Sequence, residues 1–492
     1  MKISRLFIIF FNLFLIGCFQ KEMIQRPNII LIMTDDQGWG QTGYYNHPLL
    51  KTPNLDEMAN NGLRFDRFYA GAPVCSPTRA SVLTGRSNDR TGVYDHGYRL
   101  RLQEKTISQA LKNNGYLTAH FGKWHLNGLR GPGAPILKDD KYGPQNFGFD
   151  HWLSVTNFFD INPLMSENGV FIDFNGNSSE IIFNEALSFI KEKNNKEMPF
   201  FIVIWDGSPH SPFIADDEDN IDFKNLDERS KNHYGELVAF DNSLGDFRKG
   251  LQDLGISNNT ILWFNSDNGG LGKKQNISPS TVGGLKGQKG DIWEGGIRVP
   301  SIIEWPSVIK SRISTYPSST MDIFPTIVDI LNLPDSTMLM PLDGESLFPL
   351  FNSKLGKRKN KIPFRYLDKG ALIDNNFKLV VTSIKKNNFE LYDLLNDPKE
   401  SLNISSSYPI VFQEMKDEFI EWNKSVNESI NGNDYNEEFI NEDGREWWPS
   451  DERYKPFLND LIKRPEYTES VSYTHLRAHE TREDLVCRLL LE

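Results

Sequence analysis

Cysteine is scarce in this sequence, with three residues among 492, and no two of them are spaced as Cys-x-x-Cys. Structural zinc sites built on paired cysteines are therefore not expected. The chain also lacks the phosphate loop G-x-x-x-x-G-K-[ST], the dinucleotide fingerprint G-x-G-x-x-G and any internal repeat. The formal net charge of -12 argues against broad electrostatic binding, so we expect no nucleic-acid partner.

The amino-terminal residues carry a basic start, an apolar run and a small residue before Cys18. Because the run is too short to span a bilayer, residues 1–18 are predicted to be a signal peptide. The ending Leu15-Ile16-Gly17-Cys18 resembles a bacterial lipobox, which implies cleavage before Cys18 and a lipid on its sulfur. An ordinary signal peptide is the alternative. We therefore expect an exported protein, lipid-anchored in the periplasm or at the bacterial cell surface, with the outer membrane favoured. It would meet the membrane only through that anchor.

The carboxyl-terminal residues differ in character from the chain before them. Residues 472–492, which include Cys487, resemble translated sequencing-adapter read-through, and we predict that they are not native. A genuine helix is the alternative. If Cys18 carries lipid and Cys487 is not native, Cys75 is the one remaining thiol, and it has no disulfide partner.

Short apolar runs at 28–33, 116–121, 200–205 and 260–264 alternate with helical patterns. This alternation predicts an α/β fold with a mainly parallel sheet. After about residue 355, alternating strands and a closing helix predict a smaller subdomain over 361–470 with an antiparallel sheet. The preceding residues 27–355 are predicted to form the catalytic domain.

Each predicted strand ends in chemically active residues. The groups that follow the four strands are Asp35-Asp36, Lys123 with His125, His210, and Asp267-Asn268. Because ligands bind beyond the carboxyl ends of parallel strands, we expect these groups at one edge of the sheet. The three carboxylates and one amide oxygen form a set of hard ligands that suits Ca²⁺, ahead of Mg²⁺.

Cys75 stands at a predicted helix start, since Pro77 fits the first turn and Gly85 fits the end. Backbone N–H groups and the helix dipole favour an anion there, and Arg79 lies one turn on. On these grounds Cys75 marks either a nucleophilic thiolate or an anion site.

The string Cys75-Ser76-Pro77-Thr78-Arg79, followed by A-x-x-x-T-G-R, resembles the signature of the formylglycine-dependent sulfatases. The resemblance implies an alkaline-phosphatase-like α/β fold and the conversion of Cys75 to formylglycine by a formylglycine-generating enzyme. The hydrated aldehyde would be the nucleophile, and Arg79 would steady it. The resemblance also implies one calcium ion. Its ligands would be Asp35, Asp36, Asp267, Asn268 and an oxygen of the modified residue 75.

Three further strings match the same family. Gly122-Lys123-Trp124-His125 implies that Lys123 neutralises sulfate and that His125 takes a proton to release it. Pro209-His210-Ser211-Pro212 makes His210 the candidate acid for the leaving oxygen. In residues 284–300, Lys289 matches the sulfate-binding lysine and the role of Lys286 stays open. Glu294, Gly295, Gly296 and Arg298 are interpreted as structural.

The expected function is removal of sulfate from a sulfated carbohydrate, one derived from a polysaccharide. Two alternatives stay open: a phosphodiesterase or phosphonate monoester hydrolase of the same superfamily, and a non-catalytic surface lipoprotein that binds sulfated glycans. Candidate sugar contacts are residues 95–101, Trp152, residues 157–160 and Trp205, and simple core packing is the alternative for each.

Overall fold

The computed structural model describes residues 26–193, 198–272, 276–279 and 281–467. The predicted signal peptide (1–18) and the predicted non-native tail (472–492) lie outside these residues. Within the described ranges, no helix has both the length and the apolar composition needed to cross a bilayer.

The larger sheet combines a parallel centre with antiparallel edges. Its strands are β1 (Asn28–Thr34), β2 (Leu63–Tyr69), β3 (Leu117–Lys123), β5 (His151–Val155), β6 (Leu164–Glu167), β7 (Val170–Asp173), β8 (Phe200–Trp205), β9 (Thr260–Ser266), β10 (Arg298–Glu304), β11 (Arg312–Ser314) and β12 (Ser318–Ser319). The spatial order is β11-β2-β10-β9-β1-β8-β3-β5-β6-β7, and β12 also pairs with β2. Strands β9, β1, β8, β3 and β5 are parallel to one another. The four apolar runs of the sequence are four of these five strands.

The helices of the described residues are α1 (Pro53–Asn61), α2 (Cys75–Thr84), α3 (Ile107–Asn113), α4 (Ser178–Lys193), α5 (Glu228–Asp253), α6 (Glu294–Ile297), α7 (Ile323–Ile330), α8 (Phe348–Asn352), α9 (Pro409–Ile430) and α10 (Lys455–Leu461). Helices on both faces cover the larger sheet. Strand β1 shows why, because alternate side chains enter different cores: Ile29 and Leu31 lie in one, and Ile30 and Ile32 lie in the other. A strand that is apolar on both faces must be covered on both faces.

The smaller sheet is antiparallel, in the order β13 (Ile362–Tyr366), β14 (Lys369–Asp374), β15 (Phe377–Ser383) and β16 (Asn388–Asp393). One face packs against α9 through Met415 and Phe419. The other face packs against Tyr69 and Ile297 of the larger domain. The expected combination of a mainly parallel sheet and a small antiparallel sheet is confirmed.

Residues beyond α9 return to the larger domain. Strand β17 (Glu446–Trp447) pairs in parallel with β4 (Leu129–Arg130). Trp448, Tyr454 and Leu461 are buried in a separate apolar cluster with Leu129. Part of the region predicted as the subdomain 361–470 therefore lies against the loops that follow β3.

Candidate active site

The carboxyl ends of β1 and β9 bring the predicted metal ligands together. One oxygen each from Asp35, Asp36 and Asp267 lies within 4.8 Å of the others, and all three residues are buried. The Asp36 N–H donates to Asp267 Oδ1 at 3.1 Å, and the Asn268 amide donates to Asp36 Oδ1 at 2.8 Å. Asn268 Oδ1 is buried without a hydrogen-bond partner among the described residues. This oxygen-rich cluster with one spare acceptor fits a hard divalent cation.

Cys75 begins α2 as predicted and lies directly beside this cluster. Its Sγ is 3.6 Å from Asp35 Oδ1. All ten residues of α2 are buried, and Gly85 ends the helix with a φ of 71°. Burial and the neighbouring Asp35 charge raise the pKa of the Cys75 thiol to about 12. The unmodified thiol is therefore protonated at neutral pH, which does not support the thiolate interpretation.

Arg79 lies one turn along α2 and is held by several groups. Its guanidinium donates to Asp267 Oδ2 at 2.9 Å and to the Lys123 carbonyl at 3.0 Å. Asp35 Oδ2 lies 3.5 Å from the same guanidinium, which also covers the Trp205 ring at 5.1 Å from its centroid. Because every contact is buried, Arg79 is fixed in place beside residue 75.

Two lysines bring positive charge to the carboxylates. Lys123, the last residue of β3, pairs with Asp35, and Lys289 Nζ lies 2.6 Å from Asp36 Oδ1. Burial alone would raise the pKa of Asp35, but Lys123, His210 and Arg79 hold it well below its usual range. The pKa of Lys289 is raised well above its usual range, because Asp36 and other acidic groups outweigh burial. Lys289 therefore carries a positive charge at the carboxylate cluster.

The two histidines approach the same centre from the segments that follow β3 and β8. His125 has a φ of 56°, and neither ring nitrogen has a partner among the described residues. Burial and Lys123 lower its pKa well below the usual value. His210 Nδ1–H donates to the Ser211 carbonyl at 2.6 Å, which leaves Nε2 facing Asp36 Oδ2 at 3.9 Å. Burial and Lys289 lower the His210 pKa to about 4.

Four of these groups form the floor of a cavity of about 660 Å³. The cavity is lined by Cys75, His125, His210 and Lys289, with an outer wall of His96, Arg130, Asn157, Phe158, Arg229, Trp447 and Glu466. A single anion on the floor would meet Lys289, His125 and His210. The fully buried Lys123 and Arg79 add positive charge beside Asp35, next to Cys75. The arrangement suits a tetrahedral anionic ester whose remainder extends toward the wall.

The comparisons with known proteins agree with this geometry. The family model described as Sulfatase matches residues 27–333, and the model described as N-sulphoglucosamine sulphohydrolase, C-terminal, matches residues 288–425. The chain belongs to the sulfatase family. Sulfatases are sulfuric ester hydrolases, so the expected enzyme class agrees with the family.

Three relatives show how far the likeness extends. N-acetylgalactosamine-6-sulfatase from Canis lupus familiaris is 35% identical over 361 residues, which are 66% of this chain and 66% of that protein. The ulvan-active sulfatase from Formosa agariphila is 28% identical, over 68% of this chain and 66% of that one. The crystal structure of Ps i-CgsB in complex with k-i-k-neocarrahexaose matches with a TM-score of 0.71 at 26% identity, over 81% of this chain and 93% of that one. This chain thus spans just under two thirds of the length of the two curated relatives.

Other residues of the sulfatase strings have structural contacts. Lys286, whose role the sequence left open, makes structural contacts. Its Nζ lies 3.4 Å from the Trp293 ring centroid and donates to the Glu400 carbonyl. Of the candidate sugar contacts, Trp152 and Trp205 are buried in the core. Strand alternation explains this outcome, because both rings point into the apolar layer beneath the site.

The outer wall was only partly predicted. His96, Asn157 and Phe158 fall within the candidate segments, whereas Arg130, Arg229, Trp447 and Glu466 do not. No local pattern identifies the second group, since long-range pairing brings those residues to the cavity. The parallel pairing of Trp447 with Arg130 is the clearest example.

Proposed function

We propose that this protein removes sulfate from a carbohydrate, using a formylglycine made from Cys75 and one calcium ion. The observation that carries the proposal is the position of Cys75. It stands at the start of a buried helix, within the sulfatase string and 3.6 Å from Asp35 of the carboxylate cluster. A hydrated formylglycine at this position supplies the hydroxyl that attacks sulfur.

The residues that would hold calcium are Asp35, Asp36, Asp267 and Asn268. Their buried oxygens, including the unpartnered Asn268 Oδ1, are the ligand type that calcium prefers. Calcium, when bound, polarises the sulfate ester and stabilises negative charge on the nucleophile.

The protein's own side chains account for the remaining chemistry. Lys123, Lys289 and Arg79 surround the sulfate with positive charge before reaction, and each such donor is typically worth about 3 kcal/mol in the transition state. His210 gives a proton from Nε2 to the leaving alcohol oxygen. Because its pKa is about 4 here, the negative charge of bound substrate must first raise that pKa. His125 takes up a proton from the second hydroxyl of the hydrated formylglycine, and loss of that proton releases sulfate.

A carbohydrate substrate is supported by the names of the relatives. They include a sulfatase of N-acetylgalactosamine-6-sulfate and one active on ulvan, and a solved relative is bound to a carrahexaose. The lipobox-like residues 15–18 support an exported, lipid-anchored enzyme that meets such glycans outside the cytoplasm. Maturation of Cys75 requires a formylglycine-generating enzyme as a partner.

The phosphohydrolase alternative is less well supported. Among the described residues, the two groups able to hold a metal share Asp35, so they favour one ion rather than two. A two-metal phosphatase requires a second set of ligands about 4 Å away.

The test is to produce the protein with a formylglycine-generating enzyme and to read residue 75 by mass spectrometry. Release of sulfate and of phosphate is then measured from matched para-nitrophenyl esters and from sulfated oligosaccharides, with and without a chelator. We expect sulfate release that is lost in Cys75→Ala and after chelation. Dominant phosphate release would favour the phosphohydrolase alternative. An aldehyde at residue 75 without hydrolysis of any ester would favour the glycan-binding alternative.

A further inference from the structure

A second cavity adjoins the one above Cys75. It has a volume of about 800 Å³, compared with about 660 Å³ for the first. Pro132, Phe158, Pro212 and Glu466 line both cavities. Each volume lies within the roughly 300–1,000 Å³ of sites that bind a small ligand. The two cavities are therefore neighbours, and together they offer more room than one sulfated sugar requires.

Phe158 forms the junction between the two cavities. Its ring stacks on the His210 imidazole, with centroids 5.0 Å apart and planes inclined by 13°. In the proposed mechanism His210 serves the leaving oxygen, which belongs to the sugar. A substrate with its sulfate beside Cys75 therefore has its sugar next to His210 and Phe158. Since Phe158 also lines the second cavity, a glycan that continues past this ring would enter it.

The second cavity offers both apolar and polar surface. Phe159, Phe174 and Ile214 provide the apolar part, and the Ile214 side chain is 46% exposed. Asn162 and Asn175 add side-chain amides. A sugar ring has apolar C–H faces and a rim of hydroxyl groups, and this mixture of surfaces complements both.

The wall of the second cavity is fixed by residues beyond position 425, where the family-model matches end. Tyr454 donates from its hydroxyl to the Pro135 carbonyl at 2.8 Å, and Tyr467 donates to the Gly133 carbonyl at 3.0 Å. Both rings are buried. The wall is thus held against the loop that carries Pro132 before any substrate arrives, and preorganised walls favour specificity.

We propose that this second cavity binds the sugar unit next to the sulfated one, so that the preferred substrate is a sulfated oligosaccharide of at least two units. The inference rests on the proposed sulfatase function. It assigns Phe158 and Ile214 to substrate length selection, whereas the residues at the floor of the first cavity act on the sulfate.

The test compares substrates of different length with the matured full-length protein. Sulfated monosaccharides, disaccharides and hexasaccharides are prepared from carrageenan, ulvan and chondroitin sulfate, and para-nitrophenyl sulfate serves as a probe that reaches only the first cavity. The variants are Ile214→Ala and Ile214→Arg. Both variants keep the hydrogen bond from the backbone N–H of residue 214 to Glu236 Oε1, at 2.7 Å, because it does not involve the side chain. Ile410→Ala, on a 73% exposed side chain of α9, is the matched control.

We expect wild-type kcat/KM to be at least about tenfold higher on oligosaccharides than on the monosaccharide of the same glycan, a difference of about 1.4 kcal/mol. Ile214→Arg should remove most of that advantage through KM while hydrolysis of para-nitrophenyl sulfate stays unchanged. Equal rates on all lengths, or a length preference unaffected by Ile214→Arg, would overturn the inference but leave the sulfatase function intact. Failure to release sulfate from every probe would reject the proposed function and the inference with it.

Discussion

Glu400 joins the smaller sheet's region of the chain to the loop that carries Lys289. Its carboxylate accepts the Glu294 N–H at 2.8 Å and pairs with Lys378 Nζ of β15, also at 2.8 Å. Lys378 pairs in turn with Glu294 at 3.0 Å, and all three side chains are fully buried. Glu400 does this from a left-handed backbone with a φ of 52°, a conformation that non-glycine residues rarely adopt. The smaller sheet therefore holds a loop of the active site in place.

We predict that Glu400→Ala lowers the free energy of unfolding by about 1–3 kcal/mol, because it leaves the buried Glu294 N–H without its acceptor while Lys378 keeps its pairing with Glu294. KM should rise as well, since Glu294 and Lys289 share one loop. Glu400→Gln keeps an acceptor for the Glu294 N–H and should cost less. Urea unfolding and steady-state kinetics measure both effects. The exposed Glu414→Ala on α9 is the control, and equal behaviour of Glu400→Ala and this control would contradict the prediction.

Calcium should raise the melting temperature of the wild-type protein. At a hundredfold excess over its dissociation constant, a ligand that binds only the folded state stabilises it by about 2.7 kcal/mol. Asp36→Asn removes one charged ligand and should reduce the calcium-dependent shift, whatever it does to stability without the ion. Thermal unfolding with and without calcium measures this independently of activity. Asp246→Asn, on an exposed part of α5, should keep the full shift, and a full shift in Asp36→Asn would exclude this residue as a ligand.

The parts of the site that the sequence predicted are those fixed by local pattern. Asp35, Lys123 and Asp267 follow or end apolar strands, and parallel pairing brings the ends of such strands to one edge. Cys75 was placed by helix-boundary signals that involve only its neighbours. These residues could be found from their sequence neighbours, and the general rule for parallel sheets then predicts their shared edge.

The parts that were not predicted depend on contacts between distant residues. Trp447 reaches the cavity because β17 pairs with β4. Strands of two residues are too short to show an alternation of apolar and polar residues in the sequence. The Glu294–Lys378–Glu400 cluster was likewise not foreseen, because an isolated charged residue is normally exposed. Trp205 was a candidate sugar contact, but it lies beneath Arg79 in the core.

Acid should destabilise the fold through His233. This buried histidine lies 2.7 Å from the Gln41 amide nitrogen through Nε2, so its ring accepts and is neutral. Burial lowers its pKa from 6.5 to about 3. Between pH 6.5 and about pH 3, the histidine is therefore protonated in the unfolded state but not in the folded state. Its contribution to the free energy of unfolding is complete above pH 6.5 and is lost as the pH falls. For one such group the loss between pH 7.5 and pH 5 is about 2 kcal/mol.

Urea unfolding at pH 7.5 and pH 5 checks this prediction. His233→Gln can still bond to Gln41 but does not titrate, so its stability should fall less between the two pH values. Asn242→Gln, at an exposed position on α5, should retain the wild-type dependence. An unchanged pH dependence in His233→Gln would show that this histidine does not govern acid unfolding.

The role proposed for His210 depends on the leaving group. A sugar alkoxide is a poor leaving group and needs a proton, whereas nitrophenolate leaves without one. His210→Ala should therefore lower kcat on a sulfated sugar by about 10²–10⁴-fold, the usual contribution of general acid catalysis. The loss on para-nitrophenyl sulfate should be much smaller. His151→Gln, at the start of β5 and outside the cavity, controls for substitution of a histidine. Equal losses on both esters would mean that His210 acts on the sulfate itself. Its Nε2 lies 3.9 Å from Asp36 Oδ2, close enough to the carboxylate cluster for that role. Another group would then have to supply the proton for the leaving oxygen.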